Sequence, residues 1–228
     1  KRITWGKYLN AGQTCVAPDH IYVHKDVKDA FISRVIEHIQ AFYYRNGDIS
    51  DEFPSIINDK HVARLAGLIA KEKVVFGGHI NQEKRLIEPT IMDGVTYDDA
   101  IMGEEIFGPI MPILSYDNVD DLLKVFQTQE KPLAFYLFTQ NSKEARRIMD
   151  LVSFGGGCIN DTIMHLTNDK LPFGGIGRSG MGSYHGQKSF AAFSHEKSIL
   201  KKQKVELQLK YPPYNEKKKS FIKWFFKL

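Results

Sequence analysis

Residues 12–15 read Gly-Gln-Thr-Cys, and a cysteine in so short a polar turn has the chemistry of a nucleophile. A thiolate attacks a carbonyl carbon, and a neighbouring backbone N–H can stabilise the oxyanion that forms. Upstream, Arg2 to Asn10 mixes apolar and basic residues at helical spacing. Asn10-Ala11-Gly12 reads as a helix end, and Pro18 closes the turn a few residues on. Cys15 is therefore expected at a bend, with its sulfur and its own N–H facing a pocket. An unperturbed thiol is ionised to roughly a few per cent at neutral pH, so a base or an electropositive setting must activate it. The competing reading is a small buried hydrophobe, the usual fate of a lone cysteine.

Other residue patterns carry less. Gly175-Ile-Gly177-Arg-Ser-Gly180 matches the glycine spacing of a dinucleotide fingerprint. That fingerprint needs a strand just before it and a helix just after. Here Pro172 precedes it, and Gly182 and Gly186 oppose a following helix, so the stretch reads instead as a flexible wall beside Cys15. Glu104-Glu105 alone would be an ordinary solvated pair. The eight histidines show no metal pattern: His20 and His24 fall about 13 Å apart along a predicted strand. Cys158, in Gly155-Gly-Gly-Cys-Ile-Asn160, reads as a packing residue in a strand.

With 228 residues and 43% hydrophobic content, the chain can bury one good core. No run of eighteen apolar residues offers a membrane-spanning helix, and the first residues lack the apolar centre of a signal peptide. Two cysteines give no disulfide framework, which points to a reducing compartment and a cytoplasmic setting. The net charge of +4 is uneven: residues 196–228 hold ten Lys against three Glu, leaving the rest slightly negative. Nucleic acid is not an expected partner of the body.

The pattern alternates helices with short strands. Helices are predicted over Val27–Tyr43, with apolar Ala30, Phe31, Val35, Ile39 and Phe42, and from an Asn58 or Asp59 cap to Ile69. Further helices follow at Asp117–Phe126 and from a Ser142 cap to Leu151. Strands are predicted at Ile21–Val23, Val74–Phe76, Pro89–Met92, Met111–Leu114 and Gly157–Asn160, with a central strand at Leu133–Phe138. This is an α/β domain, three-layered, with a largely parallel sheet. Asp161–Gln187 reads as a long irregular, glycine-rich segment, and 193–203 as one more strand with no obvious partner in its own domain.

Three blocks, in order, carry a family resemblance. Asn10-Ala-Gly-Gln-Thr-Cys15-Val-Ala-Pro18 resembles the catalytic-cysteine motif of the NAD(P)-dependent aldehyde dehydrogenases. Glu104-Glu-Ile-Phe-Gly-Pro109 resembles that family's cofactor-contact motif, and Leu171-Pro-Phe-Gly-Gly-Ile-Gly-Arg-Ser-Gly180 its late glycine-rich loop. Met181–Gly186 and Tyr211-Pro-Pro-Tyr214 are most similar to the class 3 type, which takes fatty and aromatic aldehydes. The resemblance implies the aldehyde dehydrogenase catalytic fold, with Cys15 as the nucleophile that forms a thiohemiacetal and then a thioester. It implies that Glu105 accepts hydrogen bonds from the nicotinamide ribose of NAD or NADP, and that Phe107 packs near the nicotinamide. Phe173 matches a position lining the substrate channel. His165 lies in the same glycine-rich region and is a candidate for the same pocket, against the alternative of a hydrogen-bonded loop histidine.

The family's first half carries the Rossmann-type cofactor domain, an oxyanion-hole asparagine and a general-base glutamate in a Glu-Leu-Gly-Gly motif, which does not occur here. The expected organisation is a catalytic domain over 1–192, an oligomerisation strand over 193–203 that joins a second copy, and a basic tail over 204–228. The chain is expected to be a C-terminal half, inactive alone. The alternative is a catalytically silent assembly domain acting through that strand. In the tail, Phe221, Trp224, Phe225 and Leu228 share one helical face, with Lys217, Lys218, Lys219, Lys223 and Lys227 around it. Such a helix is too short to span a bilayer. It either lies at an anionic membrane surface or packs on protein.

Overall fold

Ile110-Met111-Pro112-Ile113-Leu114 is an unbroken apolar run, and all five residues are buried. A strand covered on both faces needs that composition. The computed structural model describes residues 1–206 and 208–227. They fall into two units, Lys1–Phe193 and Ser194–Leu228. The regular elements of the first begin with α1 (Arg2–Tyr8), β1 (Ile21–His24) and α2 (Lys28–Tyr43). A hairpin of β2 (Tyr44–Arg45) and β3 (Asp48–Ile49) leads to α3 (Asp59–Leu68) and β4 (Val74–Phe76). A second hairpin, β5 (Ile80–Asn81) and β6 (Leu86–Ile87), precedes β7 (Thr90–Met92) and β8 (Ile110–Tyr116). Then come α4 (Val119–Thr128), β9 (Ala134–Leu137), α5 (Ser142–Leu151), β10 (Gly156–Ile159) and α6 (Gly186–Ala192). The second unit holds α7 (Glu216–Phe226).

The main sheet has the order β1-β8-β7-β4. Ile21 faces Ile113 and Thr90 faces Ile110 in parallel registers, whereas β4 runs antiparallel to β7. Between β4 and β7 lies a hairpin rather than a crossover helix, so the chain returns in the opposite sense. Helix α2 turns Phe31, Ile32, Val35, Ile36, Ile39 and Tyr43 onto the core, a stripe that leaves Ala30 exposed. Val62, Leu65 and Leu68 of α3 join the same core. Asn58 caps α3 through the His61 N–H at 2.9 Å, a contact worth about 1 kcal/mol.

Several sequence expectations need correction. Asn141, not Ser142, caps α5, because its side-chain oxygen accepts from both Lys143 and Glu144 N–H groups. Strand β9 is not central: among the described residues it pairs only with β10, in parallel, Tyr136 opposite Cys158. Its apolar character serves ring packing instead, Phe135 lying 5.1 Å from Phe154 and 5.8 Å from Phe126. The segment 161–187 is more ordered than its glycines suggest. Phe173 and Tyr184 exchange two backbone hydrogen bonds, both 2.9 Å, and α6 starts at Gly186, whose φ is +47°.

The expected strand over 193–203 carries no ladder in this chain. A strand exists only as part of a ladder, and none of the ladders among the described residues includes this segment. Helix α7 forms as expected, capped by Asn215, with Phe221, Trp224 and Phe225 exposed and their rings in contact. Leu228, read as part of that face, lies outside the described residues.

Candidate active site

Helix α1 delivers the chain to the cysteine turn along a tightly fitted path. A Cβ on Gly6 would lie 2.2 Å from Thr162 Oγ1, and that hydroxyl donates to Arg2 O at 3.0 Å. The helix ends where Asn10 and Ala11 take left-handed conformations, with φ of 53° and 51°, followed by Gly12 at +72°. The turn itself spans Thr14 to Ala17, closed by the Ala17 N–H donating to Thr14 O at 2.9 Å. Cys15 stands in it, exposed and outside any disulfide. Gln13 anchors the near side: its amide nitrogen donates to Asn10 O and Ser55 O, each at 3.2 Å, and its oxygen accepts the Ile57 N–H at 3.0 Å. The far side is held by Tyr136 of β9, whose hydroxyl donates to Val16 O at 2.6 Å.

The Glu104–Pro109 loop abuts this turn. A Cβ on Gly12 would sit 2.3 Å from Gly108 O, and one on Gly108 would sit 2.5 Å from Leu65 Cδ2. Two glycines facing each other thus let the loop lie between the cysteine turn and α3. Phe107 has φ +49°, an unfavourable conformation for a bulky residue, and its ring is exposed. Arg64 holds the loop by donating to Ile106 O at 2.6 Å and Glu105 O at 3.4 Å, and it pairs with Glu104 at 3.4 Å. Asp19 holds it from the other side, accepting the Ile106 N–H at 2.9 Å.

Beneath the loop lies Lys7, fully buried, donating to Asp19 O at 3.1 Å. Burial lowers its ammonium to about 8, with the charges of Asp19 and Glu105 pulling the other way. Burial works to raise the Asp19 carboxyl, but the His20 hydrogen bond and the Lys7 charge overcome it and leave it low. Glu105 is raised, first by partial desolvation and next by Asp19, while Arg64 and Lys7 oppose the rise.

On the opposite side, Phe173 and His165 belong to one aromatic group. The rings of His165 and Phe173 lie 6.2 Å apart, and those of His165 and Tyr136 5.9 Å. His165 is buried, its basicity lowered by that burial, and its Nδ1 lies 3.6 Å from the Cys158 sulfur. Burial also raises the Cys158 thiol, against the backbone N–H groups of His165 and Met164. So Glu105 and Phe107 meet the cysteine turn through Gly108. Phe173 and His165 reach it through Tyr136.

Four residues here escaped sequence reasoning: Lys7, Asp19, Arg64 and Tyr136. None left a usable local signal, since their hydrogen-bond partners lie 12 to 120 residues away.

The family model described as "Aldehyde dehydrogenase family" matches residues 1–199. The 4,4'-diaponeurosporen-aldehyde dehydrogenase of Staphylococcus aureus is 50% identical over 230 residues, covering 100% of this chain and 50% of that protein. Aldehyde dehydrogenase family 3 member A2 of Mus musculus is 44% identical over 228 residues, covering 99% of this chain and 47% of that protein. The solved substrate-bound state of S. aureus AldH superposes with a TM-score of 0.88 at 49% identity, over 99% of this chain and 50% of that one. The chain thus spans about half the length of the curated relatives it matches.

Proposed function

The chain belongs to the aldehyde dehydrogenase family, and from that premise we propose that it is the catalytic-cysteine half of an enzyme that oxidises fatty or aromatic aldehydes to carboxylic acids with NAD(P)+. The observation that carries this reading is the exposed Cys15 on a turn pinned from both sides and touching the Glu105–Phe107 loop through Gly12 and Gly108. The Cys15 thiolate attacks the aldehyde carbon. The carbonyl π electrons move to oxygen, and the Cys15 N–H is the donor this chain offers to the resulting oxyanion. NAD(P)+, when bound, supplies the hydride acceptor that lets the thiohemiacetal become a thioester. Water then cleaves the thioester, the acid leaves, and the thiol is restored.

The residues present fit such a cofactor. A carboxylate offers acceptors only, which suits two adjacent ribose hydroxyls, and Glu105 stands two residues before the exposed Phe107. Phe173, with the His165 ring 6.2 Å from its own, offers an aromatic surface suited to a fatty or aromatic chain. Adenine and pyrophosphate contacts are proposed to come from the preceding half of the family fold, so this chain alone binds NAD(P)+ weakly and turns over no aldehyde.

Two further features belong to this reading. Residues 193–203 form a strand by pairing with a second copy, giving a homodimer in the cytoplasm. Helix α7 lays Phe221, Trp224 and Phe225 against an anionic membrane surface, where a fatty substrate is concentrated. The central test joins this sequence to the preceding half of the S. aureus relative and assays aldehyde-dependent formation of NAD(P)H. Activity that vanishes in Cys15→Ala supports the proposal; activity that survives in Cys15→Ala contradicts it.

A further inference from the structure

We propose that Tyr136 is a positioning residue for the Cys15 nucleophile: its hydroxyl locks the peptide beyond Cys15 and so fixes where the Cys15 N–H meets a developing oxyanion. This rests on the reading of Cys15 as the nucleophile. The argument starts from the two peptides that flank the turn's central residues. A trans peptide points its C=O and its N–H in opposite directions. Thr14 O is turned inward to accept the Ala17 N–H, so the Cys15 N–H of that same peptide points out of the turn. Among the described residues no acceptor takes it. The second peptide joins Val16 to Ala17. Its N–H is bonded to Thr14 at 2.9 Å and its carbonyl to the Tyr136 hydroxyl at 2.6 Å. Bonds on opposite edges stop that plane from rotating, and Cys15 and Val16 lie between the two locked planes.

Tyr136 is suited to the task. It sits on β9 opposite Cys158, its ring braced edge-on by His165 at 5.9 Å. Burial pushes its phenol well above the ordinary range, so it remains a neutral donor wherever a thiolate is present. The turn does not depend on it for its course, because Gln13 separately ties the chain to Asn10, Ser55 and Ile57. Removing the hydroxyl therefore frees the rotation of one peptide rather than the fold.

Two electrophiles separate positioning from general structure. p-Nitrophenyl acetate acylates a thiolate through a tetrahedral oxyanion: the S–C bond forms, the ester C–O bond breaks, and p-nitrophenolate leaves. Iodoacetamide alkylates the same sulfur with loss of iodide and no oxyanion. In Tyr136→Phe, acylation of Cys15 should slow about tenfold, a fraction of the loss from deleting an oxyanion donor outright, while alkylation stays within about twofold. Equal acylation in both proteins overturns the proposal, and so does a parallel fall in both reactions. If wild-type Cys15 takes no acyl group at all, the nucleophile reading fails first. A measurement free of any variant guards against misfolding. The Ala17 amide of the native chain should be protected from hydrogen exchange, and exchange at the free-peptide rate overturns the clamp.

Discussion

Replacing Gly12 by alanine tests whether the cysteine turn and the cofactor-contact loop are held in contact by missing side chains. The φ of +72° imposes a left-handed backbone on alanine, which costs about 1–2 kcal/mol. The new Cβ would also lie 2.3 Å from Gly108 O and 2.7 Å from Gly108 C, roughly an ångström inside van der Waals contact. Both atoms are backbone, so no side chain can swing away. Gly108 cannot retreat freely, because its own Cα faces the Leu65 side chain. The clash should add a further 1–3 kcal/mol, of the order measured for overpacked cores, giving about 2–5 kcal/mol in total. Gly47 is the internal control: its φ is +94°, yet nothing lies within 4 Å of an added Cβ. Gly47→Ala should cost only the backbone component, about 1–2 kcal/mol. Thermal melts read the difference, at about 2–4 °C per kcal/mol for a chain of this size. Equal losses of melting temperature in the two variants would refute the contact.

Other expectations follow from the same geometry. Lys7 holds its proton to about 10.5 when unfolded but only to about 8 when folded, so the fold bears the full cost of the buried charge below pH 8 and sheds it as pH rises toward 10. That difference is worth about 3 kcal/mol, and Lys7→Met should abolish the rise; urea midpoints at pH 7 and 9.5 that climb equally in both proteins would contradict it. Timed iodoacetamide labelling with peptide mapping should modify exposed Cys15 before Cys158, whose thiol is raised by burial; the reverse order removes the case for Cys15. Co-sedimentation with anionic liposomes should occur, fall with salt and disappear when residues 217–228 are deleted, and identical behaviour of intact and deleted chains rules out membrane contact.

The sequence made the local features readable and left the long-range ones hidden. Helix caps, the β8 apolar run and the bend at Asn10-Ala11-Gly12 depend on neighbours a few residues away. The Asn141 cap was missed because Asn and Ser at adjacent positions are both good caps, and only geometry chooses between them. Tyr136 lies in an apolar strand 120 residues from Val16, and no local pattern announces that its hydroxyl closes that distance. Lys7 shows the same limit, since a lysine in a short helix reads as solvated until the Asp19 carbonyl is seen beside it. Residues 193–203 show its converse: a segment can read as a strand along the sequence without the chain forming a ladder there.

The central claim is that Cys15 carries the acyl group during aldehyde oxidation. Its most direct test is rapid acid quenching of the joined enzyme during turnover of a fatty aldehyde with NAD(P)+, followed by mass mapping of the peptides. The account predicts a thioester-linked fatty acyl mass on the peptide containing Cys15, absent without NAD(P)+. An acyl group on Cys158, or turnover with no acylated cysteine, would contradict it.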